Sequence, residues 1–196
     1  MEDPTLTTRP IEASDAASIA EIYAPIVEST AISFEAIPPD EQEMAERIRA
    51  NVETHPWLVA EVKSQVVGYA YASRYRARAA YRWSTESSVY IRDGFRGQGI
   101  AKRLYQSLFE VLKALGYVSV YAGFTLPNEP SRNAHLKMGF ESIGVFRNAG
   151  FKFGQWHDVE WTQLELRTPE VNPQPPVPWR KAKQDPAIVG SINSSS

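Results

Sequence analysis

Ile19, Ile22, Tyr23, Ile26 and Val27 recur at the three- and four-residue spacing of a buried helical stripe, and Ser14-Asp15 just upstream supplies an N-cap signal. Leu6 to Ile11 opens a sheet before that helix, and Pro25, which lacks an N–H, is expected to kink it. Pro38-Pro39-Asp40 then caps a second helix, predicted from about Glu41 to about Thr54, with Met44, Ile48 and Val52 on its inner face. The period changes in PWLVAEVKSQVVGYAYASRY, where two β-rich runs flank Lys63-Ser64-Gln65 as a hairpin. RARAAYRW reads as irregular or a short helical turn, and STESSVYIRD, with Val89 and Ile91, as a central strand. Leu104, Leu108, Val111, Leu112 and Leu115 mark a helix from Ile100 to Leu115 that stops at Gly116. VSVYAGF is a further strand, LPNEPSRNAHLKMGF a loop and short helix ending at Gly139, and two closing strands lie within ESIGVFRNAGFKFG and WHDVEWTQLELR. This alternation predicts an α/β or α+β sheet sandwiched by helices.

With 196 residues, 43% hydrophobic and 22% charged, the chain is expected to form one well-buried domain over residues 1–167. Residues 168–196 change character: they hold six of the fourteen prolines and end in a polar run, a composition that cannot build its own core. They are expected to form a mobile or surface-draped extension, with Pro178-Trp179 as a candidate anchor. A formal net charge of -2 gives no global attraction to nucleic acid or to an anionic membrane, so neither is expected as a partner. No apolar run of transmembrane length and no secretory leader is found, which makes the cytoplasm the expected location. The absence of cysteine removes a thiol nucleophile, and His55, His135 and His157 show no metal-ligand spacing, so no metal is expected.

The loop RDGFRGQGIAKRL, Arg92 to Leu104, packs three glycines and four cationic side chains ahead of a helix. A helix start exposes backbone N–H groups that no intrahelical acceptor satisfies, and glycine lets an anion approach them closely, so a phosphate or pyrophosphate is the natural ligand. The spacing is neither that of a nucleoside-triphosphate loop nor that of a dinucleotide fingerprint.

RGQGIA resembles the acyl-CoA loop of the GNAT N-acetyltransferases, and NEPSRNAHLKMGF, Asn128 to Phe140, resembles their second coenzyme A segment. The likeness is sharper to the phosphinothricin N-acetyltransferases and their methionine sulfoximine or sulfone acetylating relatives. It is carried by HPWLVAE (55–61), YRARAAYRWSTESSVY (75–90), LPNEPSRNAH (126–135) and GFKFGQWHDV (150–159). It implies a GNAT fold, a central mixed, twisted sheet of about six to seven strands flanked by about four helices. It also implies acetyl-CoA as co-substrate and a small amino acid as acceptor. Relatives resemble homodimers, and GFKFGQWHDVEW is a candidate interface.

Transferred residue by residue, the resemblance gives the backbone of Val89, Tyr90 and Ile91 to the acetyl carbonyl and pantetheine arm. Arg96, Gly97, Gln98, Gly99, Ile100 and Ala101 take the pyrophosphate, and Asn128 and Ser131 the pantetheine or thioester end. Because acyl transfer needs a neutral amine, a base within reach is required, and Glu86 matches the glutamate of the family's T-x-E-S block, with Ser84-Thr85 departing from the pattern before it. His135 stands where many members carry a tyrosine that protonates the departing thiolate, and it is expected to assist that step or to bind a substrate carboxylate. Phe34, Arg78 and Tyr81 match positions lining the substrate pocket, while His55 and His157 are assigned to structure. Two other readings stay open: acetylation of another amine (a protein N-terminus, a polyamine, an aminoglycoside), and a non-catalytic acetyl-CoA-binding module.

Overall fold

Lys63 and Ser64 both take positive φ, 50° and 61°, the mirror-image turn whose twist suits a two-residue hairpin. They join β2 (Trp57–Val62) to β3 (Gln65–Arg74) at the heart of a seven-stranded sheet. The structure, a computed structural model, describes residues 6–193. Residues 1–5, which carry the leader reading, and 194–196 lie outside the described residues.

The remaining strands are β1 (Leu6–Pro10), β4 (Ser84–Ile91), β5 (Ser119–Thr125), β6 (Glu141–Lys152) and β7 (Gln155–Glu165), in the order β1-β2-β3-β4-β5-β7-β6. Every neighbouring pair is antiparallel except β4–β5. On one face α1 (Ala16–Ser29) and α2 (Glu41–Asn51) bury Ile19, Ile22, Ile26, Met44 and Ile48 against Trp57, Val59 and Tyr69. On the other, α3 (Ile100–Leu115) sets Leu104, Leu108, Val111 and Leu112 on Leu58, Ala70, Ala72 and Val120. Strand alternation explains why Tyr69 and Ala70, adjacent in sequence, belong to different cores. A short α4 (Glu129–Lys137) follows β5.

Pro25 lies inside α1, which runs on to Ser29. The second helix ends at Asn51 rather than near Thr54: its Nδ2 donates to the Ala72 carbonyl on β3, and Pro56 disfavours helical geometry at His55.

The extension is anchored on the body at Trp179, the candidate anchor, rather than mobile. Trp179 starts α5 (Trp179–Ala182) only 1% exposed, and Ile188 and Ile192 of α6 (Pro186–Asn193) join the α3 core. The segment is tied by Val177 N–H to the Leu115 carbonyl (2.8 Å), Trp179 N–H to that of Thr54 (3.0 Å), and Ser107 Oγ to that of Ile192 (2.7 Å). Its polar composition rules out a core of its own, but three or four apolar side chains suffice to complete another's.

Candidate active site

The strands β4 and β5 pair only at Ser84↔Ser119, Thr85↔Val120 and Glu86↔Tyr121, then separate. Beyond Glu86 the β4 edge therefore faces an open slot. The Trp83 carbonyl accepts from Val118 on the β5 side and Arg92 N–H bonds to Val67 on the β3 side. Since consecutive strand residues aim their backbone groups to opposite sides, Val89 and Ile91 direct N–H and C=O into the slot. Tyr90 aims its backbone at β3, and its ring packs on Tyr23 (5.2 Å) and Tyr69 (5.3 Å), so of the three expected cofactor contacts it is the one turned away.

At the far end of the slot α3 begins. Gly97 and Gly99 have φ of 77° and 79°, a region that costs an L-residue about 1–2 kcal/mol, and Gly99 caps the helix without any side-chain acceptor. The N–H groups of the first turn are thus left for an external anion, with the positive helix end behind them. Gln98 closes the loop by donating to the Gly94 carbonyl (3.1 Å), Arg96 pairs with Asp93 (3.0 Å) at the surface, and Ile100 is buried as an anchor. Ala101 continues the first turn, half-buried.

The side chain of Asn128 caps α4 through its Oδ1, which accepts from Ser131 N–H (3.2 Å), and leaves its Nδ2 buried without a partner. Seven residues on, His135 Nδ1 lies 2.7 Å from the Ser131 carbonyl, so Nδ1 carries the proton and the buried, unpartnered Nε2 carries a lone pair. Tyr105, Phe124 and Phe140 surround the ring, and burial lowers its pKa, opposed by the Ser131 bond. Asn128 Nδ2 is thus an orphaned donor and His135 Nε2 an orphaned acceptor, each costly to bury without a polar partner.

Glu86 faces α1 and α2 beside Tyr71 and Ser73, with Tyr121 across the β4–β5 junction. Burial raises its pKa, and Arg76 partly offsets this. The acceptor side is aromatic: Tyr75 stacks on Tyr121 (4.2 Å), and Tyr81 meets Tyr75 edge-on (5.9 Å). Phe34, 42% exposed, leans over Gly150, where a Cβ would come within 2.3 Å of its ring, and contacts His157. Arg78 lines a neighbouring cavity together with Tyr81, Arg76 and His55.

Sequence reasoning missed Tyr71, Arg76 and Lys152. Lys152 Nζ donates to the Val27 and Ser33 carbonyls (2.6 and 2.7 Å), fastening the loop that carries Phe34. A lysine in GFKFG was a visible signal for it, whereas nothing in RARAAY distinguishes Arg76 from Arg78.

Residues 8–161 match the family model described as an acetyltransferase (GNAT) domain. The chain is 37% identical over 176 residues, 90% of this chain and 94% of the other, to a phosphinothricin N-acetyltransferase of Streptomyces viridochromogenes. It is 30% identical over 162 residues, 82% of this chain and 95% of the other, to an L-methionine sulfoximine/L-methionine sulfone acetyltransferase of Salmonella typhimurium. A GNAT superfamily phosphinothricin acetyltransferase from Sinorhizobium meliloti, solved in complex with acetyl-CoA, superposes with a TM-score of 0.82 at 36% identity, covering 90% of this chain and 99% of that one. With the splayed strands, the glycine-opened helix and this breadth of match, the chain belongs to the GNAT acetyltransferase family.

Proposed function

We propose that the protein transfers an acetyl group from acetyl-CoA to the α-amino group of phosphinothricin or of a similar amino acid such as methionine sulfoximine or sulfone, by direct attack in a ternary complex. The observation that carries this reading is the junction where β4 and β5 part: it sets the half-buried Glu86 beside the slot that Val89 and Ile91 line. When bound, acetyl-CoA supplies a thioester whose acyl carbon is open to an amine. The slot-facing N–H of Val89 is placed to meet the charge that grows on the carbonyl oxygen. Glu86 accepts the amine proton, and Tyr81, Phe34 and the Tyr75–Tyr121 stack shape the acceptor's surroundings, with Arg78 at the outer turn. Gly97 to Ala101 hold the pyrophosphate, with Arg96 beside them; Asn128 and Ser131 hold the pantetheine end, and His135 stands by the departing sulfur.

His135 rests neutral with Nε2 bare, so it can assist the departing sulfur only after Nε2 has first taken up a proton. His135→Gln keeps a polar amide but no titratable group; kcat should fall about 10²-fold, with the Kd for acetyl-CoA nearly unchanged. Stopped-flow turnover beside calorimetric titration reads both. Gly99→Ala should act in the opposite sense. No atom lies within 4 Å of the added Cβ, so its cost is confined to the left-handed backbone, about 1–2 kcal/mol. In the variant the loop is expected to leave the left-handed conformation, which binding must then restore, so the Kd for acetyl-CoA should rise about five- to thirtyfold in the same titration.

Residues 1–167 form the transferase domain in this reading and 168–196 a stapled extension. The protein works in the cytoplasm, where acetyl-CoA is made, as a homodimer. The β6–β7 hairpin supports the dimer by exposing Phe146 and Phe151 on the edge strand β6, which offers unpaired backbone groups, with Phe153 in the turn and Trp156 on β7 beside them. The test is thiol release from acetyl-CoA with phosphinothricin, methionine sulfoximine, methionine sulfone, an alanine-started peptide, a polyamine and an aminoglycoside. Turnover with the first three supports the proposal. Turnover confined to the others moves the acceptor class, and acetyl-CoA binding without any turnover leaves a binding module.

A further inference from the structure

Where β3 hands over to β4, Arg74, Arg76, Arg78 and Arg82 line a cavity of about 180 Å³ with His55 and Tyr117 at its inner side. No carboxylate lines it, and none of the four guanidinium groups forms an ion pair among the described residues. Two of them rest on rings instead, Arg76 over Tyr75 (4.9 Å) and Arg82 over Trp83 (5.4 Å). The outer wall is the extension, through Pro175 and Pro176. That wall is fixed: Trp83 Nε1 donates to the Gln174 carbonyl (2.8 Å) and Val177 N–H to that of Leu115 (2.8 Å).

His55 is 9% exposed, with Nδ1 2.7 Å from Thr54 Oγ1. Burial, aided by Arg74, pushes its pKa down to about 4, so at neutral pH it adds a polar ring and no charge. Burial pushes the Tyr117 phenol up to about 12, which keeps its O–H as a donor. Four cations gathered on one concavity, offset only in part by Glu86 acting on Arg76, raise a local positive potential that a small anion cancels, and guanidinium forks match tetrahedral oxyanions. The volume equals about six waters at 30 Å³ each, room for a phosphoryl group with part of its hydration.

We propose that this basin binds a dianionic phosphoryl group, either free phosphate or the phosphate of a small monoester, at a site distinct from the acceptor cleft. Strand alternation separates the two. Arg74 points to the α3 face with Ala72, whereas Glu86 and Ser73 face α1 and α2, and only the turn from Arg76 to Arg82 borders both. An anion held by Arg78 and Arg82 would pin that turn, and with it Tyr81 against Tyr75. The consequence for the acceptor's KM rests on the function proposed above; the binding itself does not.

Calorimetric titration of the full chain with inorganic phosphate, at ionic strength held constant with chloride, tests it. A saturable single-site isotherm is expected, weakened at least tenfold in Arg74→Gln/Arg82→Gln. Both arginines are exposed, so the fold is not at risk. Arg180→Gln, which removes a cation paired with Glu53 outside the basin, should bind phosphate as the wild type does. Phosphoserine in parallel assigns the source: tighter binding than phosphate identifies a monoester, weaker binding free phosphate. No saturable heat beyond the chloride control, or an unchanged affinity in the double variant, overturns the site whether or not the protein acetylates anything.

Discussion

Glu86→Gln should lower kcat/KM for the amino-acid acceptor about 10²- to 10⁴-fold near neutral pH, and the deficit should shrink as pH rises. An α-amino group is mostly protonated at pH 7, since its pKa is about 7.7–8.0 at a peptide N-terminus and higher in a free amino acid beside its own carboxylate, and the ammonium has no lone pair to attack with. Glutamine has the same shape and cannot take the proton. In the variant only the fraction of amine already neutral reacts, and that fraction grows with pH toward the wild-type rate. The wild-type profile carries its own signature. Burial raises the Glu86 pKa, so its acid limb should lie above the usual carboxylate range, about 4.3, with activity lost as pH falls through the raised value. Arg76 opposes that rise, so Arg76→Gln should move the limb to still higher pH. A pH–rate profile unaltered by Glu86→Gln would refute the assignment.

Periodicity made most of the fold legible. The α3 stripe, the existence of the β2–β3 hairpin and the stop at Gly116 follow from local rules: helical spacing, two β-rich runs close in sequence, a left-handed cap with φ 94°; the turn itself proved to be Lys63-Ser64, with Gln65 already in β3. The ligand loop was equally local, because strand, glycines and helix start are contiguous. What stayed hidden depends on through-space partners. No spacing shows that Arg76 rather than Arg78 acts on Glu86, since both are arginines in one irregular turn. The tautomer of His135 is set by the Ser131 carbonyl one helical turn away, which is visible only once α4 exists. Tyr90 sits between two slot-facing residues, and only the direction of its neighbours' hydrogen bonds separates it from them.

Trp179→Ala should be among the most damaging changes to stability, about 3–5 kcal/mol. Composition pointed the other way, because a proline-rich, polar segment has too little apolar material to fold alone. The relevant quantity is the area each side chain takes out of water, not the segment's average. A buried tryptophan removes about 150–250 Å², worth about 4–6 kcal/mol at 25 cal/mol per Å². Trp179 is 1% exposed in the α3 core, and its backbone N–H, which alanine keeps, ties the segment to the Thr54 carbonyl, so truncation leaves a cavity between fixed elements that cannot easily collapse. For a chain of this length each kcal/mol lowers the melting temperature about 2–4 °C, so a fall of about 6–20 °C is expected in scanning calorimetry. Val171→Ala in the same extension removes a side chain 96% exposed and should move the midpoint by less than about 1 °C. Both are compared without acetyl-CoA, because a ligand bound only to the folded state would raise each midpoint by mass action. Equal midpoints for Trp179→Ala and the wild type would mean that the extension is draped after all, and that the transferase core is complete without it.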